Sequence, residues 1–228
     1  MEFNDFKSLT DHYLKNNSSV EREALLRVFQ GIDWKVLISS LIDNNEVLSD
    51  LVNNAYRHDN GFVKLMLIDN RPDYAVRLHI WPSNIMSDSS IHNHPWDLNG
   101  LVVTGKYTWD IYQEVEKPSE LNLYECKYSD DYQEHKFTYI RGIYMTNILR
   151  FDMAKGCLYS SKKHLYHKIT KSNKDLAATI MICGRVESNI AHVITDIEKE
   201  TEEPIKFCNL TENQIKGYLE AVLEEVKI

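Results

Sequence analysis

The pattern of hydrophobic and polar residues divides the chain into a helical start, a strand-rich middle and a helical end. Five apolar residues recur at the spacing of one helix face: Trp34, Leu37, Ile38, Leu41 and Ile42. Upstream, residues 18–21 read Ser-Ser-Val-Glu, the form of a capping box, and Gly31 follows as a helix stop. Residues 1–55 are therefore predicted to be helical, with this apolar face packed on the outside of a β-domain.

From Gly61 onwards the pattern changes to short apolar runs separated by turn residues. These runs cover residues 62–68, 76–81, 144–151 and 176–183. Residues 106–112 alternate apolar with polar side chains, which predicts a half-buried strand. Residues 113–138 are mostly polar and charged, with one candidate strand at 121–126. We predict that most of this segment is an exposed loop or hairpin excursion.

The order of these elements indicates the fold class. Many short strands with one excursion suit a double-sheet jelly roll, and the strand–helix alternation of a doubly wound fold is absent. Thr211, a residue type favoured at helix N-caps, precedes one more helical stripe: Ile215, Tyr218, Leu219, Val222 and Val226. We predict a mainly β fold in a single domain, residues 1–228. It comprises a helical layer (1–55), a β-barrel (56–190), and a connector with a C-terminal helix (191–228).

Composition excludes several classes of protein. The 228 residues are 43% hydrophobic and 11% aromatic, which is ample for a buried core. The formal charge of −8 argues against a nucleic-acid partner and against a polybasic membrane binder. No apolar run approaches the roughly 20 residues that span a bilayer, and the first residues lack the layout of a signal peptide. The four cysteines are widely spaced, so we expect a reduced, cytoplasmic protein.

The chemistry is concentrated in two segments. Residues 89–100 read Ser-Ser-Ile-His-Asn-His-Pro-Trp-Asp-Leu-Asn-Gly. On an extended segment, His92 and His94 point to the same side, because side chains alternate with a period of two. Two imidazoles that converge in this way make half of a transition-metal site, although a hydrogen-bonded surface pair has the same pattern. The second segment, residues 156–167, begins with a glycine and ends with His167.

Together the two segments resemble the two motifs of the cupin superfamily. His92 and His94 fall at the histidines of the first motif, and His167 falls at the histidine of the second. Leu98 stands where the first motif carries a glutamate. The resemblance implies a cupin double-stranded β-helix, a jelly-roll barrel, whose metal ligands are the three histidines.

A site of three histidines without the glutamate is similar to that of the cysteine dioxygenase branch. The runs 77–81 and 88–94 are also similar to that branch, and the resemblance implies iron(II) and dioxygen. Two departures argue against a thiol substrate while leaving the metal site in place. Asn99 stands where the mammalian-type enzyme carries its crosslinked cysteine, and residues 180–184 lack the Ser-x-His-x-Tyr pattern of thiol dioxygenases.

Four further residues are candidates for substrate binding. Arg77 and His79 alternate with Trp81 on one strand face; if that face is inward, Arg77 would pair with a substrate carboxylate through two hydrogen bonds. The other interpretation is a strand with a mixed outer surface. Arg57, which follows a tyrosine, resembles the arginine that holds the substrate carboxylate in the cysteine dioxygenase branch. Tyr159 lies near the second motif and would suit an aromatic pocket wall.

Two residues offer an alternative or a supplement to the histidine set. Asp97 is three residues after His94 and would complete a triad of two histidines and a carboxylate by bending in. His164 is three residues before His167, so we interpret it as a surface side chain or one that supports a ligand. The ligand set does not name the metal: iron(II) is expected, and zinc, nickel, manganese or copper would also accept it.

These observations predict a mononuclear non-haem iron oxygenase. Three neutral ligands leave the metal its full positive charge, which favours a small anionic metabolite as substrate beside dioxygen. Two other functions fit the same residues: a cupin that binds metal and a small molecule without turnover, and a metal-dependent isomerase or lyase. The sequence does not fix the oligomeric state; the resemblance to cupins, which often pair, is compatible with a homodimer.

Overall fold

The computed structural model describes residues 1–83, 85–130, 132–171 and 174–226. Five helices lie within these ranges: α1 (Phe3–Tyr13), α2 (Ser19–Gln30), α3 (Trp34–Asp43), α4 (Asn45–Val52) and α5 (Glu212–Val226). The predicted capping box is confirmed, since the Ser18 side chain accepts from the Glu21 backbone N–H and the Glu21 carboxylate accepts from the Ser18 backbone N–H. Gly31 follows the end of α2 as predicted. None of the described helices combines the length and the apolarity needed to cross a bilayer.

The described strands form two antiparallel sheets. In chain order they are β1 (Tyr56–Arg57), β2 (Val63–Asn70), β3 (Tyr74–Trp81), β4 (Ser87–Asp88), β5 (Ile91–His92), β6 (Leu98–Thr104), β7 (Lys106–Glu114), β8 (Leu121–Tyr128), β9 (Glu134–Ile143), β10 (Met145–Ala154), β11 (Leu158–Ser161), β12 (Tyr166–Lys171), β13 (Ala177–Cys183), β14 (Ile190–Thr195) and β15 (Ile205–Lys206). The six-stranded sheet has the order β1-β2-β3-β13-β6-β11. The nine-stranded sheet has the order β10-β7-β12-β5-β14-β8-β9-β15, with β4 paired to β12.

The pairing of eight of these strands makes the barrel a jelly roll. Strand β7 pairs with β10, β6 with β11, β5 with β12, and β3 with β13. These pairs are nested along the chain, like one long hairpin folded back over itself, and they alternate between the two sheets. Nested antiparallel pairs in two facing sheets are the jelly-roll arrangement, so the predicted fold class is confirmed.

The helices cover the outer face of the six-stranded sheet. In β2, β3 and β13, alternate side chains such as Leu65, Leu78 and Ile180 point outward and share one buried cluster with the helices. The predicted helix faces join that cluster through Leu41 of α3 and Leu219 of α5. The expected packing of the helical layer on the β-domain is therefore confirmed. Each fully buried leucine contributes about 1.5–3 kcal/mol to this contact.

Residues 113–138 differ from the prediction of an exposed excursion. Apart from residue 131, which lies outside the described residues, most of the segment belongs to strands β8 and β9. Tyr124, Cys126 and Phe137 are buried at inward positions and share one cluster, while charged residues such as Glu125 and Lys127 alternate with them on the other face. The outward charges dominate the composition of the segment, which explains why its strand character was underestimated.

The predicted end of the barrel at residue 190 also needs correction. Strand β14 begins at Ile190 and runs to Thr195, within the stretch predicted to be a connector. It pairs with β5 on one side and with β8 on the other. The inserted β8–β9 hairpin is thereby attached directly to the sheet that carries the first histidine motif.

Candidate metal centre

Strand pairing brings the three predicted histidines together inside the barrel. His92 ends β5, His167 lies directly opposite it in β12, and His94 follows in the loop after β5. The ring centroids are 4.5 Å apart for His92 and His167, 5.0 Å for His92 and His94, and 5.1 Å for His94 and His167. One nitrogen from each ring lies within 4.8 Å of the others. The set is the one group of metal-ligating side chains found among the described residues.

Backbone carbonyl groups orient two of the three rings. Nδ1 of His92 lies 2.9 Å from the carbonyl oxygen of Ser90, and Nδ1 of His167 lies 3.2 Å from that of Leu165. A protonated Nδ1 that donates to a carbonyl leaves Nε2 with a free lone pair. Such hydrogen bonds hold the rings of metal-binding histidines in register, so both side chains are arranged to present Nε2 to an ion.

The surroundings keep the imidazoles neutral. Burial lowers the pKa of His92, and burial with the neighbouring histidines lowers that of His94 well below its usual value. Burial and the proximity of His92 lower the pKa of His167 to about 3. Neutral imidazole is the form that binds a metal ion, so no proton has to be displaced at neutral pH. The donor set therefore fits a divalent transition metal.

Neither alternative ligand joins the histidines. The Asp97 carboxylate accepts from Lys162 Nζ at 2.8 Å and from the Lys163 backbone N–H at 3.0 Å. It also lies 3.8 Å from the guanidinium of Arg22. These partners hold Asp97 in an ion-pair cluster, so the prediction that it bends in toward the metal is not met. His164 is exposed in the turn before β12, in agreement with its interpretation as a surface side chain.

A cavity opens in front of the histidines in two chambers. The larger has a volume of about 80 Å³ and lies between β2, β3 and the β8–β9 hairpin. The smaller, about 40 Å³, reaches His167 and is walled by Trp109, Tyr159 and Leu98. Both chambers touch His92 and His94. Ligand pockets for drug-sized molecules measure about 300–1,000 Å³, so this cavity suits a molecule of only a few heavy atoms.

The predicted substrate-binding residues divide into three that line the cavity and one that does not. Arg77 and His79 line the larger chamber and are buried, which places the β3 face with Trp81 inward. Tyr159 lies in the smaller chamber, edge-on to Trp109, with the two ring centroids 4.4 Å apart. Arg57 is exposed and lies over the ring of Tyr218, 5.6 Å from its centroid. That prediction was wrong because Tyr56 takes the inward position of β1, and its neighbour must then face outward.

Lys64, Tyr128 and His135 line the larger chamber and escaped the sequence analysis. Lys64 is a charged residue at an inward position of an otherwise apolar strand, a signal that alternation with Leu65 makes readable. Tyr128 and His135 come from the β8–β9 hairpin and line the chamber as well. The pairing of β8 with β14 brings the hairpin to the chamber, and no local sequence pattern predicts that long-range pairing.

The positions that depart from the cysteine dioxygenase branch have structural roles. Asn99 is buried, accepts from Nε of Arg22 at 2.8 Å and donates to Oγ of Ser160 at 2.6 Å. In β13, Met181 and Cys183 face the barrel interior, in the apolar cluster that also includes Trp81 and Trp96. Apolar and sulfur-containing side chains thus occupy the strand where that branch carries its serine, histidine and tyrosine.

Comparison with known proteins concerns the fold. No family model matches the chain, and no curated protein matches it. Solved structures do match, among them an RmlC-like cupin from Shewanella frigidimarina, 10% identical, over 59% of this chain and 85% of that one, with a TM-score of 0.36. The nested strand pairing of the two sheets itself makes the barrel a double-sheet jelly roll, an architecture found in cupins among other proteins.

Two further solved structures that match carry names of their own. The structure of KdgF from Halomonas is 12% identical, over 59% of this chain and 88% of that one, with a TM-score of 0.35. The polyketide cyclase RemF from Streptomyces resistomycificus is 10% identical, over 70% of this chain and 82% of that one, with a TM-score of 0.35. At these identities and TM-scores, neither match carries a conclusion about this protein's activity.

Proposed function

We propose that this protein is a mononuclear non-haem iron oxygenase that acts on a small anionic metabolite. The observation that supports this is the neutral ligand set. His92, His94 and His167 converge with lowered pKa values, and Leu98 stands at the cavity wall in place of a fourth, acidic ligand. The metal site resembles that of the cysteine dioxygenase branch, whereas the residues around it favour a substrate other than a thiol.

The ligand set determines what a bound ion would contribute. Iron(II) would supply the one-electron chemistry that reaction with dioxygen needs, together with a positive charge that none of its protein ligands offsets. Zinc, nickel, manganese and copper share the preference for imidazole, so the identity of the ion is part of the proposal.

The protein's own residues would select and shield the substrate. Trp109, Tyr159 and Leu98 form an apolar wall beside His167, which excludes water from the reacting groups. On the other side, Arg77 brings a buried positive charge into the larger chamber. An anionic group is therefore favoured by both ends of the cavity.

Metal content and oxygen consumption test the proposal. The protein is purified without added metal, reconstituted anaerobically with iron(II) and assayed for oxygen uptake with a panel of small carboxylic acids. The panel also includes cysteine, cysteamine and 3-mercaptopropionate. We expect one iron per chain and oxygen uptake with a carboxylic acid other than these thiols. Failure to retain iron would overturn the proposal.

The two other functions give different outcomes in the same assay. Iron and ligand binding without oxygen uptake or product would identify a binding protein. Product formed in the absence of oxygen would identify an isomerase or lyase. Either result contradicts the oxygenase proposal.

A further inference from the structure

Two buried cations lie side by side in the larger chamber. Lys64 is 7% exposed and Arg77 is 4% exposed. In the pairing of β2 with β3, Lys64 stands opposite His79 and Met66 stands opposite Arg77, so the two cations are diagonal neighbours on the inward face. Diagonal neighbours on one face are within reach of each other's long side chains.

Within the described residues, neither cation has a carboxylate partner. Nζ of Lys64 donates to the Tyr56 hydroxyl at 2.7 Å, and it lies 4.4 Å from the centre of the same ring. The guanidinium of Arg77 lies over the ring of Trp96 at 4.3 Å, and its Nε has no hydrogen-bond partner. Aromatic rings attract cations, but they do not neutralise them.

Other cations around the cavity show that the chain pairs its charges where it can. Lys199, at the edge of the same chamber, lies 4.0 Å from the Asp59 carboxylate. Arg71, on the turn after β2, pairs with Asp69 through two nitrogen atoms. Of the described lysine and arginine side chains that line the larger chamber, Lys64 and Arg77 are therefore the ones without a carboxylate partner.

Two unpaired positive charges in one buried place oppose folding. Burial, reinforced by the charge of Arg77, lowers the pKa of Lys64 well below its usual value. Buried charges in proteins are normally paired, and leaving one unpaired is strongly destabilising. An anion between the two side chains would offset both their mutual repulsion and the cost of burying them without a partner.

We propose that Lys64 and Arg77 together bind a carboxylate group of the substrate, with the Tyr56 hydroxyl holding Lys64 in place. This inference rests on the proposed function, and it narrows the substrate to a small dianion. One anionic group would face the ion held by the histidines, and a carboxylate would occupy the cation pair. Arginine binds a carboxylate through two parallel hydrogen bonds, and lysine adds a point charge. The small cavity volume, about 80 Å³, limits the spacer between the two groups to a few atoms.

The carboxylate site is tested first on metal-free protein, so that the result does not depend on the metal. Calorimetric titration with acetate is compared for the wild type, Lys64→Met, Arg77→Met and Arg57→Met. Arg57→Met is the matched control, because it removes an arginine that faces away from the cavity. We expect acetate affinity to fall about tenfold or more in the first two variants and to stay unchanged in the control. Equal affinities in all four proteins, or no acetate binding to the wild type, would overturn the proposal.

Thermal unfolding without anions provides a second readout. If the cations serve the substrate and not the fold, Lys64→Met removes an unpaired buried charge and raises the Tm by about 2–4 °C. A structural role for Lys64 would lower the Tm instead. Inorganic phosphate is titrated in parallel, and binding tighter than that of acetate would contradict the carboxylate assignment.

Zinc-loaded protein then tests the second anionic group without redox chemistry. We expect malonate to bind more tightly than acetate when zinc is present, and the Lys64→Met variant to lose that advantage. If the protein does not retain metal, the proposed function fails while the acetate result still decides the carboxylate site. If metal is retained and malonate gains nothing over acetate, the dianion inference fails and the oxygenase proposal stands.

Discussion

His167 lies directly opposite His92 across the antiparallel pair β12 and β5, with the two ring centroids 4.5 Å apart. Each ring has its Nδ1 near the carbonyl oxygen of the residue two positions earlier, Ser90 for His92 and Leu165 for His167. The same local geometry on two facing strands therefore aims both Nε2 atoms at one point. The metal centre is a property of strand register as much as of residue type.

Replacing His167 with alanine tests the ligand set. The variant leaves two imidazoles, and we expect iron loading after anaerobic reconstitution to be abolished, as measured by elemental analysis. His164→Ala is the matched control, since His164 is exposed and outside the cluster, and it should load like the wild type. Full iron content in His167→Ala would refute the three-histidine site.

Leu98 offers a test of the charge on the metal centre. Leu98→Glu would place a carboxylate at the wall of the smaller chamber and offset one positive charge of the ion. We expect tighter binding of manganese, which prefers carboxylate ligands, and weaker binding of anionic substrates. Leu98→Gln is the control of equal size without the charge. The same manganese affinity in both variants would show that residue 98 does not reach the ion.

Gly100 makes room for Tyr159. The two residues face each other across β6 and β11, and an added Cβ on Gly100 would overlap the phenol ring. We expect Gly100→Ala to lower the free energy of unfolding by about 1–3 kcal/mol in chemical denaturation, because a packed core resists added volume. Combining it with Tyr159→Leu should remove most of the overlap, so the two effects should not add.

Gly217 is the control for that substitution. It lies within α5, where, apart from its chain neighbours and the helix's own backbone, no atom of the described residues comes within 4 Å of an added Cβ. Gly217→Ala should raise the free energy of unfolding by roughly 0.5–1 kcal/mol, because glycine loses more backbone entropy in a helix than alanine does. A Gly100→Ala variant as stable as the wild type would contradict the close packing of Tyr159.

Asp110 predicts a pH-dependent contribution to stability. Its buried carboxylate accepts from Arg150 at 2.6 and 3.1 Å, and these hydrogen bonds lower its pKa below the usual value. Because the pKa of Asp110 is lower in the folded than in the unfolded protein, the ion pair stabilises the fold at pH values above the unfolded-state pKa, about 3.9. This stabilisation is lost as the pH falls through the folded-state pKa.

Asp110→Asn should therefore be less stable than the wild type at pH 7, and the difference should shrink at a pH of about 3. Urea denaturation at both pH values measures it. Asp152→Asn, at an exposed position of the neighbouring strand β10, is the control and should show little difference at either pH. A difference for Asp110→Asn that is independent of pH would exclude the ion pair as its cause.

Local patterns predicted much of the fold and of the metal centre. The face Leu37–Leu41 in α3, the cap at Ser18 and the alternation of Arg77 with His79 depend only on residues near one another in the chain. The histidine motifs could be recognised for the same reason, because their spacing lies within single segments. Their use as metal ligands stays a prediction.

Long-range pairing decided the rest. The β8–β9 hairpin becomes a cavity wall because β14 pairs with both β8 and β5, and its charged outer face concealed this. The register of β2 against β3 sets Lys64 beside Arg77, and the inward position of Tyr56 turns Arg57 away. By itself the sequence determined the helices, most of the barrel strands and which residues can bind a metal, since these follow from local periodicity and side-chain chemistry, but it did not reveal β9 and β14 as strands. Only the tertiary structure decided which side chains share the cavity, because strand register depends on partners far apart in the chain.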